Sequence, residues 1–148
     1  MAHDFRQKPE LQGEALDLYY WQSPHKQIFE NFTAKVVKVI DGDTVTLRWP
    51  ERDFDFQLRF NNNAAPELSE KGGRESQKWL ENQILNEEVD IIIDPNNRVE
   101  KWGRLLGQII SKGFDIGEMS VVAGQSLPWS ERKDGQIEFK IIGIKEWP

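Results

Sequence analysis

Four short segments of the chain carry acidic and basic residues whose types and spacing could act on a phosphate group. They are Asp41-Gly42-Asp43-Thr44, Leu58-Arg59-Phe60, Ala64-Ala65-Pro66-Glu67 and Lys101-Trp102-Gly103-Arg104. Hydrolysis of a phosphodiester requires relief of negative charge at phosphorus, a positioned water and stabilisation of the leaving oxygen. Carboxylates that hold a hard cation, together with paired guanidiniums, can supply these requirements. The segments therefore predict phosphate chemistry if the fold brings them together.

Taken alone, each segment has an ordinary structural interpretation. Asp41-Gly42-Asp43 suits a hairpin turn, because Asp and Gly accept the backbone angles of such turns. Arg59 and Arg104 are common solvated or ion-paired charges. Pro66-Glu67 is a common start of a helix. The segments become informative through their joint order and spacing, which depend on the elements between them.

Hydrophobic periodicity predicts those elements. Alternating residues predict a three-stranded meander over 34–40, 44–49 and 54–60. A turn at 61–63 and the pair Gly72-Gly73 precede a helix whose apolar positions are Trp79, Leu80, Ile84 and Leu85. Further strands are predicted over 89–93 and 105–110 before a second helix over 116–123. This order predicts an α+β, mainly β fold: a five-stranded OB-fold-type β-barrel with two to three helices.

The segments, in their order and spacing, resemble the staphylococcal nuclease (thermonuclease) family. Asp41-Gly42-Asp43-Thr44 is similar to the family's first active-site segment, and Lys101-Trp102-Gly103-Arg104 to its later Lys-Tyr-Gly-Arg. Between them, Arg59 and Ala64-Ala65-Pro66-Glu67 resemble Arg-x-x-x-x-Asp-(Thr/Ala)-Pro-Glu. The resemblance covers about residues 34–129. It implies a staphylococcal nuclease-like barrel and a Ca²⁺-dependent endonuclease, a hydrolase of DNA or RNA phosphodiester bonds.

The resemblance also implies a set of calcium ligands, from which one is missing. Asp43 matches the retained metal carboxylate, Asp41 matches a supporting carboxylate, and Ala65 matches a residue that binds through its backbone carbonyl. Ala64 occupies the position of the other carboxylate ligand. Calcium takes six to eight oxygens and depends on carboxylate charge for affinity, so the loss should weaken the site or abolish it.

The remaining site residues match the family pattern by position. Arg59 and Arg104 match the arginines that clamp the scissile phosphate, for which the planar guanidinium is suited. Glu67 matches a glutamate near the attacking water that is often assigned as a general base. Lys101 and Trp102 fall where a lysine and an aromatic ring flank the bound nucleotide, and Trp keeps a stacking face.

Two classes of function follow. The first is a nuclease that is weak or inactive because Ala64 replaces a ligand. The second is a noncatalytic barrel that binds nucleotide, nucleic acid or a protein partner. Arg59, Glu67 and Arg104 are costly to keep unpaired if buried, so their presence favours a recent or artificial loss of the carboxylate over long decay of an unused site.

The chain is divided into an N-terminal extension, 1–33, the barrel domain, 34–129, and a C-terminal tail, 130–148. The extension contains an aromatic group, Tyr19, Tyr20 and Trp21, that we expect to pack against the barrel, with a protein-partner surface as the alternative. Residues 136–147 alternate like one more strand. The Asn61-Asn62-Asn63 run could offer amide oxygens to a cation, but a polar corner is the favoured interpretation.

Composition limits the remaining possibilities. The 148 residues suit one domain, and no apolar run approaches the roughly 20 residues that cross a bilayer. No signal peptide is visible, and the absence of cysteine fits both reducing and oxidising compartments, so localisation stays open between cytoplasmic and secreted after processing. A net charge of -6 argues against a broad electrostatic grip on nucleic acid. Any nucleic-acid site must be local.

Overall fold

Short strands and helices make up most of the described part of the chain. The computed structural model describes residues 5–6, 8–12, 16 and 19–131. The strands are β1 (Phe32–Asp41), β2 (Thr44–Arg48), β3 (Phe56–Phe60), β4 (Asn63–Ala64), β5 (Glu88–Ile92), β6 (Leu105–Ser111), β7 (Phe114–Asp115) and β8 (Leu127–Pro128). The α-helices with bounds inside these ranges are α1 (Gly73–Ile84) and α2 (Ile116–Val122), and 3-10 turns lie at Tyr20–Gln22 and Trp129–Glu131.

Five of the strands close into a barrel. The sheet runs in the order β3-β2-β1-β5-β6, and a parallel pairing of β3 with β6 joins its two edges. In that pairing Leu58 lies opposite Leu105 and Phe60 opposite Gly107. Strand β7 extends β6 as a hairpin, and β4 pairs with β8 in a separate two-stranded sheet. A mainly β, five-stranded OB-like barrel is therefore confirmed.

Alternation along the strands decides which side chains fill the barrel. In β3, Phe56, Leu58 and Phe60 are buried, whereas Gln57 is exposed and Arg59 is half-buried. Successive side chains of a strand point to opposite faces, so the apolar set fills the core and the polar set faces outward. Helix α1 contributes Leu80 and Ile84 to the same core and packs against β1. The outward face of β3 is thereby left available for a polar site.

Several element boundaries differ from the sequence prediction. Strand β3 begins at Phe56 rather than at 54, because Phe54 packs against the core from the preceding turn. Helix α1 ends at Ile84, since Leu85 turns extended, with ψ of 131°. The short strands β4, β7 and β8 were not predicted, because two-residue pairings leave no periodicity. The predicted strand at 136–147 lies outside the described residues, as does the tail beyond 131.

The described part of the N-terminal extension is held against the barrel by a buried charge cluster. The Glu10 carboxylate accepts hydrogen bonds from Arg52 and, at 2.6 Å, from Arg98 Nη1. Arg98 also donates to the carbonyls of Leu11 and Ile28. All three charged side chains are at most 5% exposed, and burial lowers the pKa of both arginines to about 10.

The aromatic group of the extension is placed differently from the prediction. Trp21 is 90% exposed and Tyr20 is 44% exposed, while Tyr19 is half-buried. The expected packing of this group against the barrel is therefore wrong for Trp21. Leu11 and Ile28 of the extension reach the interior instead, at 1% and 2% exposure. No helix in the described ranges combines the length and apolar character needed to cross a membrane.

Candidate functional site

Asp43 lies at the centre of the candidate site, in the turn between β1 and β2. Its side chain is 6% exposed, and both carboxylate oxygens accept hydrogen bonds. Oδ2 accepts from Arg59 Nη2 at 3.1 Å and from the Ala65 backbone N–H at 2.9 Å, and Oδ1 accepts from Thr44 Oγ1 at 2.9 Å. Strand pairing fixes this arrangement, because Thr44 lies directly opposite Arg59. Residues from three of the four segments therefore meet at one carboxylate.

The position of the turn depends on Gly42. A Cβ atom at this residue would lie 1.9 Å from Ser76 Oγ on α1 and 2.7 Å from Ala65 Cβ. Both distances are far shorter than van der Waals contact, so a larger residue would push the turn away from α1 and from Ala65. Glycine is the residue that allows Asp43 to approach the Ala65 N–H.

Asp41 shares the turn with Asp43 and is coupled to it. Its Oδ1 accepts a hydrogen bond from the Asp43 backbone N–H at 3.0 Å. Burial, followed by the adjacent charge of Asp43, raises the pKa of Asp41 from 3.8 to about 7, against a smaller lowering by Arg59. Two neighbouring carboxyl groups in a desolvated site do not both ionise readily, so Asp41 holds a proton up to near-neutral pH.

This raised pKa predicts a pH-dependent contribution to stability. The folded protein binds a proton at Asp41 more tightly than the unfolded chain, so stability from this group falls as pH rises between about 4 and 7. A tenfold difference in proton affinity between the two states corresponds to about 1.4 kcal/mol. An Asp41→Asn variant keeps an oxygen for the Asp43 N–H and cannot ionise. Relative to wild type, its free energy of unfolding should therefore increase by a few kcal/mol from pH 4 to pH 8.

Urea unfolding at several pH values, with chelator present, measures that difference. Asp90→Asn, at an exposed position of β5, controls for general effects of removing a carboxylate. A stability difference between wild type and Asp41→Asn that stays constant over the pH range would contradict the raised pKa.

Arg59 is fixed from two sides. Its Nη1 donates to the Phe60 carbonyl at 3.1 Å, and its guanidinium lies 4.8 Å from the centre of the Trp129 ring. Stacking of this kind attracts the cation to the ring face and holds the guanidinium in one plane. Trp129 was missed by the sequence reasoning, because it lies 70 residues after Arg59 in a turn without a motif.

Arg104 is paired with a carboxylate that was also missed. Nε and Nη2 of Arg104 donate to the two oxygens of Glu100 at 2.7 and 3.0 Å. These hydrogen bonds are the largest cause of its raised pKa, to which the negative charges of Asp43 and Asp41 also contribute. The loop is closed by a hydrogen bond from the Gly103 N–H to the Glu100 carbonyl, with Gly103 at φ of 92°. The fourth segment therefore lies within electrostatic range of the first.

The three residues of the third segment, Ala64, Ala65 and Glu67, have different surroundings. Ala64 is 2% exposed and pairs with Leu127 between β4 and β8. Ala65 contacts Asp43 through its N–H, and the role implied for its carbonyl stays a prediction. The Glu67 side chain is exposed, and its backbone N–H donates to Glu70 Oε1 at 2.8 Å. The described contacts do not join the Glu67 carboxylate to Asp43, so its role also stays a prediction.

Lys101 and Trp102 form an exposed pair beside Arg104. Lys101 Nζ lies 5.1 Å from the centre of the Trp102 ring, and Trp102 is 67% exposed. The Asn run forms a polar corner: Asn62 Nδ2 donates to the Asp115 carboxylate and Asn63 Nδ2 to Ser126 Oγ. Both side chains use their amide nitrogens, and the hydrogen bonds connect Asn62 and Asn63 to residues just before and just after α2.

The donors at this site do not fit a tight calcium centre. Asp43 already accepts three hydrogen bonds, one of them from Arg59. A buried methyl group stands at position 64. Within the described ranges, no three His, Cys, Asp or Glu side chains are grouped closely enough to hold a metal. Calcium normally requires several anionic and carbonyl oxygens, and two coupled carboxyl groups beside an arginine are too few.

The cluster of Asp41, Asp43, Arg59 and Arg104 therefore combines two guanidiniums with two carboxyl groups on the outer surface of a closed barrel. This arrangement defines an OB-like barrel with a charged surface site. The chain matches no protein-family model.

Proposed function

We propose that this protein is a phosphodiester-binding barrel of the staphylococcal nuclease type, in which Arg59 and Arg104 receive a phosphate of DNA or RNA. Hydrolysis by this sequence is weak or absent, because Ala64 replaces a carboxylate. The single observation that supports the proposal most strongly is that Arg59 and the Ala65 N–H both donate hydrogen bonds to the buried carboxylate of Asp43.

Both guanidiniums bind a carboxylate, and each can exchange that carboxylate for a phosphate. Each arginine is held by a carboxylate, Asp43 or Glu100, and Arg104 presents two parallel N–H groups to its partner. Phosphate oxygens accept the same bidentate geometry as a carboxylate. The Arg104 side chain is 32% exposed, so an incoming phosphate could reach it.

The noncatalytic barrel is the second candidate, and the internal pairing of both arginines favours it. A catalytic site must present its charges to the reacting phosphate, whereas here Asp43 is neutralised by Arg59 and Asp41 by a proton. Binding of a nucleotide would require that Arg104 exchange Glu100 for phosphate. The two candidates share phosphate binding and differ in turnover.

Substitution of Arg59 or Arg104 by Lys tests the shared step. Lysine keeps the charge and removes the planar fork, so affinity for a deoxynucleoside 3′,5′-bisphosphate should fall about tenfold, as expected for the loss of one hydrogen bond to a charged group. Folding should change little. Arg74→Lys, at an exposed position of α1, is the matched control.

Isothermal titration calorimetry, with calcium and with chelator, gives the affinities. Unchanged affinity in both site variants would exclude phosphate binding at this cluster and favour a protein-binding barrel. A nuclease assay on the same samples separates the two candidates, because binding without cleavage supports the noncatalytic one.

A further inference from the structure

A cavity of about 430 Å³ lies where the N-terminal extension meets the barrel. Aromatic side chains from both parts line it, among them Tyr20, Trp21 and Phe32 from the extension and Trp49 from the end of β2. Its described lining includes none of the residues of the candidate phosphate site. A volume of this size is typical of a site for a small molecule. The cavity is therefore a second candidate binding site, and it is independent of the proposed function.

Tyr20 and Trp21 form an exposed aromatic corner of the cavity. Their ring planes are nearly perpendicular, at 89°, and the ring centres lie 5.1 Å apart. The 3-10 turn that carries both rings contains no buried residue. Phe32 and Trp49 add a second pair of rings, with centres 4.8 Å apart. Because Tyr20 and Trp21 contribute little burial to the fold, their ring faces are accessible to a ligand.

The aromatic corner is held by hydrogen bonds that lead into the protein interior. The Ser23 N–H donates to the Tyr20 carbonyl at 3.3 Å, and Ser23 Oγ accepts from Gln27 Nε2 at 3.0 Å. The buried Gln27 amide also donates to the Pro9 carbonyl and accepts from the Leu11 N–H. A turn fixed in this way is preorganised, which reduces the entropic cost of binding a ligand against it.

The charged groups of the lining favour a cation. Glu30 is exposed and makes no hydrogen bond or ion pair with another residue in the described ranges. Glu51 lies 3.9 Å from Lys26 Nζ, and both side chains are more than half exposed, so this pair is weak. Two carboxylates against one lysine leave an excess of negative charge at the cavity.

Arginines of the neighbouring ion cluster already stack on aromatic rings in this region. The Arg98 guanidinium lies 4.0 Å from the centre of the Phe29 ring, and that of Arg52 lies 5.8 Å from the Trp49 ring. Among the described residues, no such cation lies over the ring of Tyr20 or Trp21. These two rings are therefore the aromatic faces that the protein leaves for a cation from outside.

We infer that this cavity binds a small quaternary ammonium compound. Its trimethylammonium group lies against the faces of Tyr20 and Trp21, and the carboxylates of Glu30 and Glu51 supply the opposite charge. A quaternary ammonium has no N–H to donate, so aromatic faces and nearby negative charge are the groups that recognise it. The volume of the cavity suits a free small molecule.

Two probes of the same shape test the role of charge. Choline carries a trimethylammonium group, and 3,3-dimethylbutan-1-ol carries a neutral tert-butyl group in its place. Choline should bind at least about tenfold more tightly, because the attraction to the ring faces and carboxylates requires the charge. Calorimetry measures both affinities. Absence of choline binding, or equal affinities of the two probes, would overturn the inference.

Substitutions at the corner and at the carboxylate test the location. Trp21→Leu should weaken choline binding about fivefold, whereas Phe114→Leu, which removes an exposed ring from β7 outside the cavity, should leave it unchanged. Glu30→Gln should weaken it about threefold relative to Glu88→Gln on β5. Trp21 and Glu30 are exposed, so unfolding midpoints should stay at the wild-type value. Equal choline affinities of Trp21→Leu and Phe114→Leu would contradict the assignment.

A third probe distinguishes a small molecule from a protein side chain as the source of the cation. The methylamide of acetyl-trimethyllysine presents the same trimethylammonium group on a peptide. Choline should bind at least as tightly as this compound. Tighter binding of the peptide mimic would overturn the assignment of the cavity to a small molecule.

Discussion

An Ala64→Asp variant should cleave nucleic acid in the presence of calcium at least about a hundredfold faster than wild type. The substitution adds a further carboxylate two residues before Pro66, in the segment that delivers the Ala65 N–H to Asp43. Held near a reacting phosphate, a dication stabilises the developing charge by several kcal/mol, and each 1.4 kcal/mol or so is tenfold in rate. Under the proposed function, we expect position 64 to decide between a nuclease and a binding barrel.

The variant should also be less stable than wild type when calcium is removed. Ala64 is 2% exposed, so a carboxylate there is desolvated unless a cation binds it. The unfolding temperature should rise more between chelator and calcium for Ala64→Asp than it does for wild type. This readout is independent of activity and reports whether the new carboxylate binds a cation.

Cleavage of single-stranded DNA, duplex DNA and RNA gives the activity. The double variant Ala64→Asp with Asp43→Asn is the control. Like wild type, it has a single carboxylate at positions 43 and 64 together. A folded Ala64→Asp protein that binds calcium and cleaves none of the substrates would sink the nuclease interpretation and leave the noncatalytic barrel.

Glu10→Gln should lower the free energy of unfolding by about 3–5 kcal/mol. Removal of one partner from a buried ion cluster leaves the other charges uncompensated in a desolvated place. Here two arginines would share the interior without a carboxylate, although burial already lowers the pKa of both to about 10. Glutamine keeps the shape of the side chain, so the effect isolates the charge. Urea unfolding at pH 7 measures it.

Two further variants make this result specific. Asp55→Asn breaks the exposed pair with Arg48 and should cost less than about 1 kcal/mol. Replacement of Glu10, Arg52 and Arg98 together by methionine removes every charge of the cluster and should recover most of the loss. Equal unfolding midpoints for wild type and Glu10→Gln would show that the cluster does not contribute to the folded state.

The barrel strands could be predicted from the sequence because their signal is local. In β3 the alternation of Phe56, Leu58 and Phe60 with polar residues leaves one arrangement that buries the apolar set. Leu80 and Ile84 recur at helical spacing and are fully buried. The short strands β4, β7 and β8 have no such signal, since each depends on a partner that the local pattern does not specify.

The candidate site could be predicted in part. Motif order predicts Asp43, Arg59 and Ala65 as parts of one site, and hydrogen bonds join them across 16 and 22 residues of chain. Trp129 and Glu100, which hold the two arginines, escaped prediction. An aromatic ring in a turn and a glutamate in a polar loop are common, and only their distances to the guanidiniums distinguish them.

The sequence by itself determined which faces of the strands are apolar, that the chain carries paired carboxylates and guanidiniums, and that position 64 lacks a carboxylate. Only the tertiary structure decided the electrostatic state of those groups. The pKa of Asp41 rises because burial and Asp43 act together, and Glu10 meets arginines that lie 42 and 88 residues away. The physical reason is that periodicity records the face of an element, whereas the free energy of a charge depends on its surroundings in the folded protein.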